Sequence, residues 1–285
     1  MARHSAAQSP VRVAGWVWFA LVAVILVVAL VVGWFVLASR QSSDEAEGAC
    51  IDGDQELTVW ADPAAEDVAR QLVADYNDTE PVVRDRCVTA SVEVRSTAEA
   101  TLAYRGGQPG VAPVWIPAGT GFISGLSGAP NEVPVVGSDD LVHRVPEGAD
   151  ADVARAVLPT GAASMVTALA AEAAGVPLDM ESDATLEALR AAPDVQAAVD
   201  ENLPVLSSAS LLGEQAGGND ATVGEVQFPL VAFGSSPAVD DNQARAAADF
   251  AEKADAEGTG ESVTAEPASP WLSRVAGVLA DVPLG

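Results

Sequence analysis

The chain has 285 residues, with 41 acids against 14 bases, a formal net charge of −27 and 49% hydrophobic residues. All the acids lie after residue 40 with 11 of the bases, so residues 41–285 carry a formal −30. That field excludes nucleic acid and anionic lipid as partners of this portion, and leaves neutral, zwitterionic or cationic ligands, a divalent metal, or simple solubility.

From Val13 to Ser39 there is no charged residue. A run of this length spans a bilayer as a helix, since roughly 20 residues at about 1.5 Å each match a ~30 Å hydrocarbon core. Trp16, Trp18 and Trp34 sit near its ends, as interfacial aromatics do. Arg3, His4 and Arg12 precede it without any acid, and Asp44, Glu45 and Glu47 follow soon after. Positive charge stays inside, so residues 1–12 are expected in the cytoplasm and the remainder outside the cell membrane. A cleaved signal peptide competes, with Leu37-Ala38-Ser39 as a cleavage-like site, but this apolar run exceeds the usual roughly 7–15 residues. A lipoprotein is a poor fit, because Cys50 lies beyond an acidic linker over 40–54.

The folded domain is predicted over 55–285. Leu57–Ala61 reads as a strand, and Asp62-Pro63 opens a helix with Asp62 as its cap. Val68, Leu72 and Tyr76 recur at helical spacing. Cys87–Val94 alternates apolar and polar, as a strand does. Ser96-Thr97-Ala98-Glu99 forms a capping box that opens a second helix to about Tyr104. Val111–Pro117 is a third strand. Strand, helix, strand, helix, strand in this order predicts a parallel α/β sheet.

Further helices are expected over Ala151–Val157, Gly161–Ala174, Ala184–Ala191 and Asp194–Glu201. Short apolar pieces lie at Val133–Val136, Leu141–Val145, Leu203–Leu206 and Val226–Phe233. Asp241 is expected to cap a helix to about Ala256, Glu257–Ala268 to be loose, and Ser269-Pro270 to cap a final short helix.

Catalytic signatures are absent: there is no GxSxG, SxxK, HExxH, P-loop or GxGxxG. His143 is the sole histidine after the apolar run and reads as half-buried structure rather than a base. The acids at Asp52, Asp54 and Glu56, Asp139-Asp140 and Asp240-Asp241 lack the spacing of a calcium loop, so no metal site is expected. No cofactor is expected. The two exported cysteines, Cys50 and Cys87, most simply form one disulfide.

In an open parallel sheet, ligands sit outside the carboxyl ends of the strands. Here those ends deliver Trp60, Asp62, Ser96, Thr97 and Thr120, which are the candidate contacts. The plainer alternative is that the tryptophans Trp60 and Trp115 are core, and that Asp62 and Ser96 only cap their own helices.

Leu57-Thr58-Val59-Trp60-Ala61, Cys87-Val88 and Ala112-Pro113-Val114-Trp115-Ile116-Pro117 resemble the first lobe of bacterial extracellular solute-binding proteins of the type 2 periplasmic-binding fold. The similarity is greatest to membrane-anchored actinobacterial members that often precede a von Willebrand factor A domain. Phe228–Phe233 resembles the strand that returns to the first lobe, and the two cysteines recur in those members. No DxSxS motif of a von Willebrand A domain is present. The resemblance implies an α/β ectodomain of two lobes, about 55–135 plus 225–285 and about 136–224. Hinges are expected near Pro134–Asp140 and Val223–Phe228, with a small ligand captured between the lobes. The expected function is therefore non-enzymatic solute binding. The alternatives are a cell-envelope interaction module with a protein partner and, last, an exported hydrolase built on carboxylate pairs.

Overall fold

The computed structural model describes residues 50–107, 109–149, 151–153, 156–159, 164–176, 195–213, 218–257 and 260–280. The expected span over 13–39 and the expected helix over Ala184–Ala191 lie outside them. Among the described residues, no helix is long and apolar enough to cross a membrane. The chain divides into units Met1–Ile51 and Asp52–Gly285; the mixed α/β fold that follows is that of the second.

Alternation builds the first sheet. In β1 (Asp54–Ala61), Leu57, Val59 and Ala61 are fully buried on one face, and Trp60 is buried on the other. A strand covered on both faces is what a parallel sheet requires. β3 (Arg86–Val94) and β4 (Val114–Ile116) flank β1, both parallel to it. The two-residue strands β2 (Val82–Val83) and β8 (Val231–Ala232) close the edges antiparallel, giving the order β2-β3-β1-β4-β8. Edges this short offer little to an incoming strand.

Asp62 caps a 3₁₀ turn, Pro63–Ala65, ahead of α1 (Glu66–Asp78), which buries Ala69, Val73 and Tyr76. Ser96 caps α2 (Thr97–Arg105) through the Glu99 amide. Only half of the expected capping box forms, because the Glu99 carboxylate pairs with Arg95.

The second sheet is antiparallel. The apolar pieces expected at Val133–Val136 and Leu141–Val145 are one strand, β5 (Glu132–Pro146). It pairs along its length with β7 (Gly218–Pro229), with register breaks at Val135/Gly137 and Leu141/Val142. Both expected hinge segments thus fall inside paired strands. β6 (Val205–Ser208) covers the far half of β5. Its near half pairs with β9 (Ser262–Thr264), a strand inside the stretch expected to be loose. Three residues bordered by Gly, Glu and Thr carry too little pattern to show as a strand before their partner is known.

The remaining helices among the described residues are α3 (Ser164–Ala173), α4 (Val195–Asp200), α5 (Ala209–Leu212), α6 (Asp241–Glu257) and α7 (Pro270–Leu279). Instead of ending a helix, Val157 makes a parallel bridge to Val205. Asp240, not Asp241, caps α6, its Oδ1 accepting from the Asn242 and Gln243 amides at 2.8 and 2.9 Å. Ser269 caps α7 as expected, accepting from the Leu272 amide at 3.1 Å.

Two apolar clusters hold the layers. One joins Leu57, Val59 and Ile116 to Leu141, Leu206, Val226 and Phe228, with Phe250 from α6. It is continuous between the two sheets, so any relative motion of the sheets would shear it. The other gathers Trp60, Tyr104, Trp115, Phe122, Phe233 and the buried stripe of α7 on the opposite face of sheet one. The tyrosine ring stacks on Phe233 at 4.3 Å and meets the edge of Trp60 at 5.3 Å. Neither cysteine is free and both are disulfide-bonded, so the expected Cys50–Cys87 bridge is formed.

Candidate functional site

Because β3, β1 and β4 run parallel and side by side, the segments that leave their carboxyl ends meet. Asp62 follows β1 directly and is 1% exposed. Its Oδ1 accepts from the Ala64 amide at 3.1 Å, and its Oδ2 accepts from the Thr97 amide at 2.9 Å and the Thr97 hydroxyl at 2.7 Å. That hydroxyl also accepts from the Ala118 amide at 2.8 Å. One carboxylate and one hydroxyl therefore tie the exits of all three strands. Burial pushes the Asp62 carboxyl above its ordinary value, against the downward pull of the Thr97 hydroxyl and the two amides. A carboxylate out of water persists because every donor around it is aimed at it.

Ser96 and Thr97 are buried beside it. Trp60 is 4% exposed, donates from Nε1 to Glu93 at 3.0 Å, and carries the Arg95 guanidinium 4.2 Å above its ring. The Arg95 hydrogen bond, helped by the Trp60 donation, holds the Glu93 carboxyl below its usual range. Asp62 and Thr97 are thus brought together in a closed polar node whose carboxylate and hydroxyl are engaged by protein partners. Ser96 beside it caps α2, and Trp60 instead bonds Glu93 within the second apolar cluster.

The fifth candidate contact, Thr120, is elsewhere in use. It lines a cavity of about 420 Å³, within the range of small-molecule sites. The floor is the loop after β4, Gly119–Phe122. Glu225, Val226 and Gln227 of β7, Leu169 of α3, and the Glu266–Ser269 strap with Leu272 of α7 complete the lining. Two backbone bonds fix the frame. The Gly119 amide donates to the Gln227 carbonyl at 2.9 Å, and the Ala268 amide donates to the Gly121 carbonyl at 2.8 Å. Gly121 has to be glycine, since a Cβ there would stand 2.9 Å from the Ala268 Cα.

Sequence reasoning reached Thr120 through the strand-end rule and missed Glu225, Gln227, Glu266 and Ser269. Nothing local marks them, because they come from β7 and the strap, more than 100 residues further along the chain. His143 is 6% exposed, its Nε2 has no partner among the described residues, and burial lowers its pKa. Among the described residues no group of three or more His, Cys, Asp or Glu side chains is placed to hold a metal ion.

No family model matches the chain. Two Mycobacterium tuberculosis proteins titled uncharacterized, MT1884 and Rv1836c, are each 31% identical to it over 150 residues. The match covers 50% of this chain and 22% of either relative, so the chain matches only a minor part of their length. Among solved structures, a Corynebacterium glutamicum OxyR mutant aligns with a TM-score of 0.46 at 14% identity, over 85% of this chain and 72% of its own. A variant OxyR2 regulatory domain from Vibrio vulnificus aligns at 0.45 and 13%, over 79% and 96%. A substrate binding domain ascribed to a molybdenum ABC transporter of Clostridium difficile aligns at 0.43 and 15%, over 70% and 91%. At such scores these likenesses carry no argument about ligand or activity, which rest on the chain's own cavity.

Proposed function

We propose that this chain is a membrane-anchored, non-enzymatic binding protein whose extracellular domain captures a small ligand in the cavity between the β4 loop, β7 and the α7 strap. The observation that carries the reading is that cavity, of about 420 Å³, mixing apolar wall with Thr120, Gln227 and two carboxylates. A site of this size, with polar groups beside apolar side chains in its lining, suits one small organic molecule. The anchor rests on the uncharged run from Val13 to Ser39 and on the basic flank before it. The type 2 solute-binding resemblance is supported by the way β8 returns after the second sheet to pair with β4.

The test is a thermal-shift screen of the full chain in detergent against amino acids, sugars, amines, oxyanions and divalent metals. A ligand at a hundredfold its dissociation constant adds about 2.7 kcal/mol, enough to move the melting temperature by several degrees. A second reading, an envelope interaction module that keeps the fold without ligand, is favoured by the closed node at Asp62, Ser96 and Thr97. A flat screen on a cooperatively melting protein would select it and sink the first.

A further inference from the structure

Resting on that reading of the cavity, we infer that its ligand is a protonated organic amine held by Glu225 and Glu266. Among the described residues, the lining contains these two carboxylates and no arginine, lysine or histidine. Both side chains belong to exposed residues, and neither enters an ion pair among the described residues. An anion placed there would meet like charge on two sides with no compensating base.

The strand register at Glu225 also favours a cation. In the β5–β7 ladder it stands directly opposite Asp140, so their side chains project from the same face of the sheet. Like charges directly opposite one another are unfavourable in a sheet. Among the described residues neither member of this pair enters an ion pair, while the neighbouring Asp139 is taken up by the Ser210 amide and hydroxyl. A cation entering at Glu225 would relieve both the cavity and the ladder.

The chemistry of that cation follows from the rest of the wall. A cavity of about 420 Å³ is far larger than a bare ion needs, and the described residues offer no three-ligand metal set. Phe122, Leu169, Val226 and Leu272 supply apolar surface for a carbon skeleton. Phe122 is the single aromatic residue among the described lining residues, which therefore form no aromatic cage of the kind that recognises quaternary ammonium. Carboxylates instead reward N–H donors, which form short charge-assisted hydrogen bonds with them. A primary or secondary amine fits; a quaternary one lacks the donors.

The test uses full-length protein in detergent and isothermal titration with a matched four-carbon series: 1,4-diaminobutane, 1,4-butanediol and succinate. Choline is the quaternary control. The expected result is binding of the diamine alone, weakened at least tenfold in E225Q and in E266Q, and weakened further as salt rises. Both glutamates are exposed, so the glutamine variants should melt as the parent does, and that melt is the folding control. Binding of the diol or succinate in place of the diamine overturns the amine assignment and leaves the cavity reading standing. Diamine binding unchanged in both variants also overturns it. No heat from any member overturns it as well, and a flat broad screen alongside would remove the cavity reading too.

Discussion

At the exits of β1 and β3, each polar side chain is consumed by the protein: Asp62 takes three donors and the Thr97 hydroxyl both donates and accepts. Around the β7 cavity, Glu225 and Glu266 stand at an open wall with no ion-pair partner among the described residues. Both regions sit next to strand ends and both are acidic. They differ in who satisfies the charge. In the node, backbone amides converge on one buried carboxylate, so its function is to lock three strands together. In the cavity, the carboxylates have no ion-pair partner among the described residues and are open to water or a ligand. Polar residues at the ends of parallel strands therefore do not mark a binding site until their partners have been counted.

The largest effect should come from breaking the node. Asp62→Ala removes the acceptor for two buried amides and one hydroxyl, and should cost about 3 kcal/mol of stability, read by urea unfolding. Little loss would mean that the node is not holding the strand exits. A pH series sharpens the same point. The folded Asp62 carboxyl is raised above its ordinary 3.8. Its contribution is therefore fully present below that pH and is lost as pH rises through the folded value. Asp62→Asn cannot ionise, so the stability of the parent relative to this variant should fall as pH rises; a constant difference would show that the carboxyl titrates as if exposed.

On the cavity side the expected effects on folding are smaller. Gly121→Ala drives a methyl against the Ala268 backbone and should cost about 1–2 kcal/mol, a few degrees in melting temperature, as the strap is pushed off the floor. An unchanged melt would mean that the strap is not packed on Gly121. Glu225→Gln should change stability least, by under about 0.5 kcal/mol and toward gain, since it relieves the opposition to Asp140. A clear loss would place Glu225 in the structural class with Asp62 and erase the contrast.

Much of the fold was legible because its signals are local. The alternation in Val88–Val94, the caps at Asp62, Ser96 and Ser269, and the helical spacing of Val68, Leu72 and Tyr76 all act within a few residues, although the residues α1 buries are Ala69, Val73 and Tyr76. The candidate site was legible only in part. The strand-end rule located Asp62, Ser96, Thr97 and Thr120 on one side of a parallel sheet. It could not tell that Thr97 would turn its hydroxyl to Asp62, because that depends on how closely β1 and β3 bring their exits together. Asp241 as a cap was wrong for a related reason: two adjacent aspartates offer the same chemistry, and the backbone entering α6 presents Asp240 to the free amides.

The sequence alone determined the charge balance, the long uncharged run, the parallel core of three strands and the cysteine pairing. Each of these follows from residue type or short-range period. Tertiary structure alone decided the fusion of two apolar pieces into β5, the β9 strand and the cavity. The cavity draws its wall from four stretches around 119–122, 169, 225–227 and 266–272. Their proximity is set by non-local strand pairing and side-chain packing, whose partners lie up to about 150 positions apart and leave no trace in local propensity.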